Sequence, residues 1–146
     1  AQFFDAGESC RQLTAIHSLR IAAAPAAALL LAGWLKAQFD KDGCGLDPAK
    51  IRLEAAASVA LPFQEISLNC ADGAACFTLA RRDEHTLEAY TSRAGRSQKR
   101  IVKVAPPETD RLLAHELTLT GRDSVFEAAL AAAADLARLP LITEKL

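Results

Sequence analysis

The chain has no methionine, one tryptophan, one tyrosine and six phenylalanines, so aromatic residues make up only 5% of its 146 positions. A core short of aromatics must be filled by aliphatic side chains and alanine. Net charge is nearly absent as well: 17 basic residues against 18 acidic ones leave −1. No global field draws such a molecule to nucleic acid or to an anionic membrane, so a charged partner must be met locally. Long apolar runs are also missing. The most hydrophobic stretch, residues 21–35, contains Pro25 and falls short of the roughly 20 residues that a bilayer span needs. It reads as a buried helix, and a soluble cytoplasmic protein is the expectation.

The signatures of catalysis are sparse. His17, His85 and His115 are scattered, with neither an H-x-x-x-H pair nor an H-E-x-x-H helix to hold a metal. There is no G-x-S-x-G elbow and no Walker loop. Asp40-Lys41-Asp42-Gly43 lacks the third acidic position, the glycine spacing and the closing glutamate of a calcium loop. The adjacent acids Asp83 and Glu84 sit in a polar stretch and read as solvated turn residues rather than an acid/base pair. No catalytic residue, metal or cofactor is expected.

What is present describes one folded domain. Hydrophobic residues make up 51% of the chain and charged residues 24%, which is ordinary for a globular protein. Residues 1–146 fit a single domain. The sequence starts at Ala1 and reaches Phe3 and Phe4 at once, which reads as part of a longer polypeptide.

Periodicity supplies the elements. Leu13, Ala15, Leu19 and Ile21 share one face of a strand over 12–21. Pro25 suits the first turn of a helix to about Asp40, with Leu30, Trp34 and Ala37 as its apolar stripe beside Leu29 and Gly33. Residues 41–48 are dense in breakers and form a loop. Period-two segments follow at 51–59, 66–70, 77–81, 86–92 and 99–104, joined by short turns that include Asp72-Gly73 and Ala94-Gly95, as in an antiparallel meander. After Pro106 and Pro107 the period changes, and Leu112, Leu113, Glu116 and Leu117 predict a helix ending near Gly121. Ser124 and Glu127 form a capping-box pattern for a last helix with Val125, Phe126, Ala129, Leu130 and Ala133 buried. The fold class is α+β: a mainly antiparallel sheet with an early helix and two C-terminal helices packed on it.

Two features could carry chemistry. Arg93, Arg96, Lys99, Arg100 and Lys103 surround the Ala94-Gly95 turn and could hold a phosphate or an acidic protein surface, or could be only a solvated hairpin end. Tyr90 is the one aromatic beside them, too little for a nucleic-acid stacking platform. Among Cys10, Cys44, Cys70 and Cys76 there is no C-x-x-C pair. Cys70 and Cys76 bracket residues 71–75, and a five-residue hairpin loop would place them directly opposite, at a separation a disulfide tolerates. That register sends Phe77 and Leu79 to the face away from Ile66 and Leu68, which a bulge or a sheet covered on both faces would have to resolve. Two reduced thiols and a reversible bond both remain open.

Several motifs together resemble the OpcA family pattern. They are Ala1-Gln2-Phe3-Phe4-Asp5, the strand over 16–21, Leu29-Leu30-Leu31-Ala32-Gly33-Trp34-Leu35, Leu112-Leu113-Ala114-His115-Glu116-Leu117, and Gly121-Arg122-Asp123-Ser124-Val125-Phe126-Glu127-Ala128-Ala129-Leu130. The resemblance runs in order across nearly the whole chain. It implies a C-terminal domain of a non-enzymatic protein that promotes assembly or activation of glucose-6-phosphate dehydrogenase in the oxidative pentose phosphate pathway. Some members of that family are understood to carry a thioredoxin-responsive cysteine pair, whose spacing that of Cys70 and Cys76 resembles. Thioredoxin is then a second implied partner, with the disulfide as the activating form. Phe3, Phe4 and Trp34 are candidate anchors for the enzyme, although a chain so poor in aromatics would also need them in its core. Arg93, Arg96, Lys99 and Arg100 are candidate charged contacts. The competing readings are a sugar-phosphate or nucleotide sensor built on the basic hairpin, and a thiol oxidoreductase built on Cys70 and Cys76.

Overall fold

The computed structural model describes residues 16–43, 45–56, 63–70, 75–93, 95–105, 108, 110, 114 and 121–139. Among these residues six strands and two long helices occur in the order β1 (Ile16–Ala23), α1 (Pro25–Lys41), β2 (Ile51–Ala55), β3 (Glu65–Cys70), β4 (Ala75–Asp83), β5 (Thr86–Arg93), β6 (Arg96–Lys103) and α2 (Ser124–Ala137). The strands form one sheet in the spatial order β2-β1-β3-β4-β5-β6.

Pro25 follows β1 after a single residue and occupies the first turn of α1, where its missing N–H costs nothing. The helix carries the chain back along the sheet, so β2 re-enters parallel to β1, with Leu19 beside Ile51 and Ile21 beside Leu53. Asp47 steers this entry: its Oδ1 accepts the Ala49 N–H at 2.9 Å and starts a short 3-10 turn, Pro48–Lys50, that leads into β2. The other neighbours are antiparallel. Strands β3 to β6 form the expected meander, but β2 stands outside it, paired with β1 rather than β3.

Alternation places Leu19, Ile21 and Ala23 of β1 on one face with Ile51 and Leu53 of β2 and Leu68 of β3. Ala28, Ala32 and Phe39 of α1 close over them, with Leu46 from the loop that follows. The small side chains of α1 let it lie close to the sheet. Helix α2 packs chiefly along α1 and reaches the core with Leu136. The helices meet at Gly33. A Cβ placed there would lie 2.4 Å from the carbonyl oxygen of Ala129 and 2.8 Å from the Cβ of Ala133.

This packing corrects the stripes read from periodicity. Leu30 and Trp34 of α1, and Val125, Phe126 and Leu130 of α2, are exposed, while Ala28, Ala32, Gly33 and Phe39, and Ala129, Ala133 and Leu136, are buried. Close approach selected small residues for the contacts and left large ones outside. The cap also differs by one residue: Asp123 is the N-cap, its Oδ1 accepting from Val125 N–H at 3.0 Å and Phe126 N–H at 2.9 Å. Glu127 instead pairs with Arg122. Of the two expected C-terminal helices, the structure describes the one at Ser124–Ala137. The stretch holding Leu112, Leu113, Glu116 and Leu117 lies outside the described residues, as do the starts of the first strand and of the chain.

Gly33→Ala is expected to lower stability by about 1–3 kcal/mol through overpacking, although alanine is the better helix former by roughly 1 kcal/mol. Urea unfolding measures it; an unchanged or raised midpoint would contradict the close helix approach.

Candidate functional site

The seam at Gly33 organises the outer surface of the helix layer. On α1, Leu30 and Trp34 lie beside Gly33 at helical spacing, and on α2, Phe126 and Leu130 lie beside Ala129 and Ala133. Because the seam admits only small side chains, these larger neighbours flank it and meet solvent, Trp34 at 44% exposure and Phe126 at 54%. Large aromatic and aliphatic side chains held outside a tight seam between two closely packed helices suit the anchoring of another protein.

The opposite face of the sheet is polar and cross-linked. Arg20 of β1 stands on it between β2 and β3, one strand in from the edge. Its Nε and Nη2 donate to the two carboxylate oxygens of Glu54 at 2.6 and 2.5 Å, and its Nη1 donates to Glu65 Oε1 at 2.6 Å. Ser67 Oγ adds a bond to Glu65 Oε1 at 3.0 Å. The hydrogen bonds from Arg20 hold the Glu54 carboxyl below its ordinary value. A carboxylate held so by a guanidinium is a poor proton acceptor at neutral pH; the group's work is to bind β1 to both of its neighbours. Further along this face Glu88 receives Arg82 and Lys99, each at 2.8 Å, next to the partly exposed Tyr90 and Ile101.

Strand alternation divides the basic hairpin. Arg93 pairs with Arg96, and Arg100 with Ala89, on the face that carries Leu79, while Lys99 lies opposite Tyr90 on the other. Lys103 Nζ donates to Thr86 Oγ1 at 2.9 Å. The five cations therefore do not converge on one pocket. Asp83 and Glu84 belong to the β4–β5 turn: Asp83 Oδ1 accepts the His85 N–H at 2.8 Å, and Arg81 donates to the carbonyl oxygens of Asp83 and Glu84. Among the described residues no group of His, Cys, Asp and Glu is arranged to hold a metal ion. No helix of the described residues is long and apolar enough to cross a membrane. Phe3 and Phe4 lie outside the described residues, so the structure places only Trp34 of the three proposed anchors.

The OpcA family model, described as the C-terminal domain of a glucose-6-phosphate dehydrogenase subunit, matches residues 1–130. The chain belongs to the OpcA family. No curated protein and no solved structure matches it. The matched span of this OpcA domain includes the Gly33 helix, all six strands and the first half of α2 through Leu130.

In the OpcA domain Cys70 and Cys76 are thiols, and their hairpin corrects the expected register. Cys76 lies opposite Asn69, and Phe77 opposite Leu68. Four residues, not five, connect the strands. This one-residue difference keeps Phe77 on the core side and puts the two sulfurs on opposite faces of the sheet. No bulge is needed there. Cys70 is buried, and desolvation raises its pKa with help from Cys76. Cys76 Sγ lies 3.7 Å from Thr78 Oγ1 on the polar face.

Two features of this surface escaped the periodicity. The exposure of Leu30, Phe126 and Leu130 was hidden inside stripes that also contained glycine and alanine; the signal was the line of small residues Ala129 and Ala133 on one helix against Gly33 on the other. The Arg20 clamp was announced only by charges of opposite sign at outward positions of separate strands.

Arg82 and Lys99 lower the Glu88 pKa from 4.5 to about 2, chiefly through the hydrogen bond from Arg82. A depressed folded value means that these pairs stabilise the fold above pH 4.5 and that their contribution is lost as the pH falls toward 2. Carboxyl NMR should find Glu88 titrating near the lower value, and Arg82→Ala should return it toward the ordinary one. A Glu88 that titrates normally in the unaltered protein contradicts the pairing.

Proposed function

We propose that this chain is a non-enzymatic domain that binds glucose-6-phosphate dehydrogenase and promotes its assembly or activity. The family match supports the partner, and the exposed Leu30, Trp34, Phe126 and Leu130 beside the Gly33 seam support the docking surface. An activator must bind the active state of its partner more tightly than the inactive one, because equal binding shifts nothing. A pair of rigid helices can supply that difference: anchors that cannot adapt fit one arrangement of the enzyme's protomers and clash with another. Phe3, Phe4 and the cations Arg93, Arg96, Lys99 and Arg100 remain proposed contributors to binding. A cytoplasmic location, where the enzyme's sugar-phosphate chemistry takes place, belongs to the same reading.

Redox control by thioredoxin also belongs to it, in a form set by the hairpin. With the sulfurs on opposite faces, a Cys70–Cys76 disulfide requires the end of the β3–β4 hairpin to unpair or slip by one residue. Oxidation would therefore act by changing sheet register rather than by locking the present one. A bond closing so short a loop adds only about 2 kcal/mol by loop entropy, which suits a reversible device.

Adding the full-length protein to glucose-6-phosphate dehydrogenase is expected to change its activity or oligomeric state, read by steady-state kinetics and sedimentation. Replacing Trp34 and Phe126 together by alanine should weaken binding by roughly thirtyfold or more, as loss of a central anchor does, with the circular dichroism spectrum unchanged. Undiminished binding would move the docking surface elsewhere; no effect of the unaltered protein would remove the function.

Oxidation should link Cys70 to Cys76 only together with altered amide shifts along β3 and β4. Peptide mapping that finds both thiols intact after oxidation, with stimulation of the enzyme unchanged, would remove redox control and leave docking in place.

A further inference from the structure

Among the described residues, strand β6 ends the sheet. There it pairs with β5 on one side only, and seven of its eight residues are exposed, Ile101 at 61%. The other edge, β2, is shorter and has Ile51 and Leu53 buried. Val104 donates its N–H to the His85 carbonyl oxygen at 2.8 Å. Successive residues of an antiparallel strand direct their backbone groups to alternate sides. Counting back from Val104, the N–H and C=O groups of Ser97, Lys99, Ile101 and Lys103 therefore point away from β5, and no strand among the described residues pairs with them.

Four cations, Arg96, Lys99, Arg100 and Lys103, and no acids line this edge. Lys99 is engaged by Glu88 and Lys103 by Thr86. Arg96 and Arg100 share one face and have no ion pair among the described residues. They are four residues apart, about 13 Å along the strand. Like charges facing across a new pair of strands disfavour a second copy of the same edge. An acidic strand meets the opposite situation.

We propose that β6 is a recognition edge that accepts an extended acidic segment of a partner protein as a seventh, antiparallel strand. Its backbone pairs with the outward groups of Ser97, Lys99, Ile101 and Lys103. Two acidic side chains four residues apart lie opposite Arg100 and Arg96, and an apolar residue just before the first of them covers Ile101. Read from N to C, the segment is apolar-acidic-x-x-x-acidic. The inference stands on the sheet edge alone and is independent of the helix-pair docking surface.

The test is an NMR titration of the full-length protein with a short synthetic peptide of that pattern in a valine and threonine background. Amides of Ser97, Lys99, Ile101 and Lys103 should gain protection from hydrogen exchange, while those of Gln98 and Arg100, already directed at β5, should change little. Arg96→Glu with Arg100→Glu should weaken binding roughly tenfold or more. Ile101→Pro removes an outward donor and no ladder bond and should abolish binding, whereas Ile101→Thr should retain it. If Ile101→Pro alters the fold, the amide pattern and the charge reversal still decide. Protection spread over other strands, or a scrambled acidic peptide, inorganic phosphate or single-stranded DNA binding equally well at the same residues, would overturn the proposal and leave the edge as a general anion surface.

Discussion

The contact of Gly33 with the backbone of Ala129 sets the layout of the helix layer. A Cβ at that position would lie 2.4 Å from a carbonyl oxygen, which has no rotamer by which to withdraw. The helices approach closely because glycine and alanine line the seam. The same choice displaces the large apolar side chains to its flanks. Burial and exposure in this layer are therefore two results of one constraint: the seam cannot hold Trp34 or Phe126, so those residues are left to face whatever meets the domain.

The sheet follows a different economy. On its core side, aliphatic residues of β1, β2 and β3 stack under α1. On the other side, order comes from charge. Arg20 reaches glutamates 34 and 45 residues away in sequence, and Glu88 collects two cations. Exposed ion pairs contribute little stability individually, but a guanidinium bridging three strands specifies which strands are neighbours. The polar face is a device for register as much as for solubility.

Period-two patterning reveals every strand from β2 onward, and the positions of Pro25 and the 41–48 loop bound α1 closely. The pattern does not encode strand order, which is why it suggests β2 within the meander and not beside β1; that depends on how far α1 travels before β2 begins. Nor can it assign the large residues of the helices, because hydrophobic periodicity marks an apolar side without saying whether a neighbour fits against it. The cysteine hairpin shows the finest limit. A loop of four residues rather than five places Phe77 with the core and separates the two sulfurs. The apolar alternation around Phe77 and Leu79 already favours that register over the one that would make the thiols opposite.

The position of β1 makes the domain indivisible at its beginning. The first described strand of the chain does not lie at an edge but between β2 and β3, holding one in parallel and the other in antiparallel pairing. Removing it would leave a single orphan strand on one side and a four-stranded meander on the other, with the core between them emptied of Leu19 and Ile21. The fold thus cannot be shortened to its local hairpins: an early segment of the chain is the joint through which its two halves become one cooperative unit.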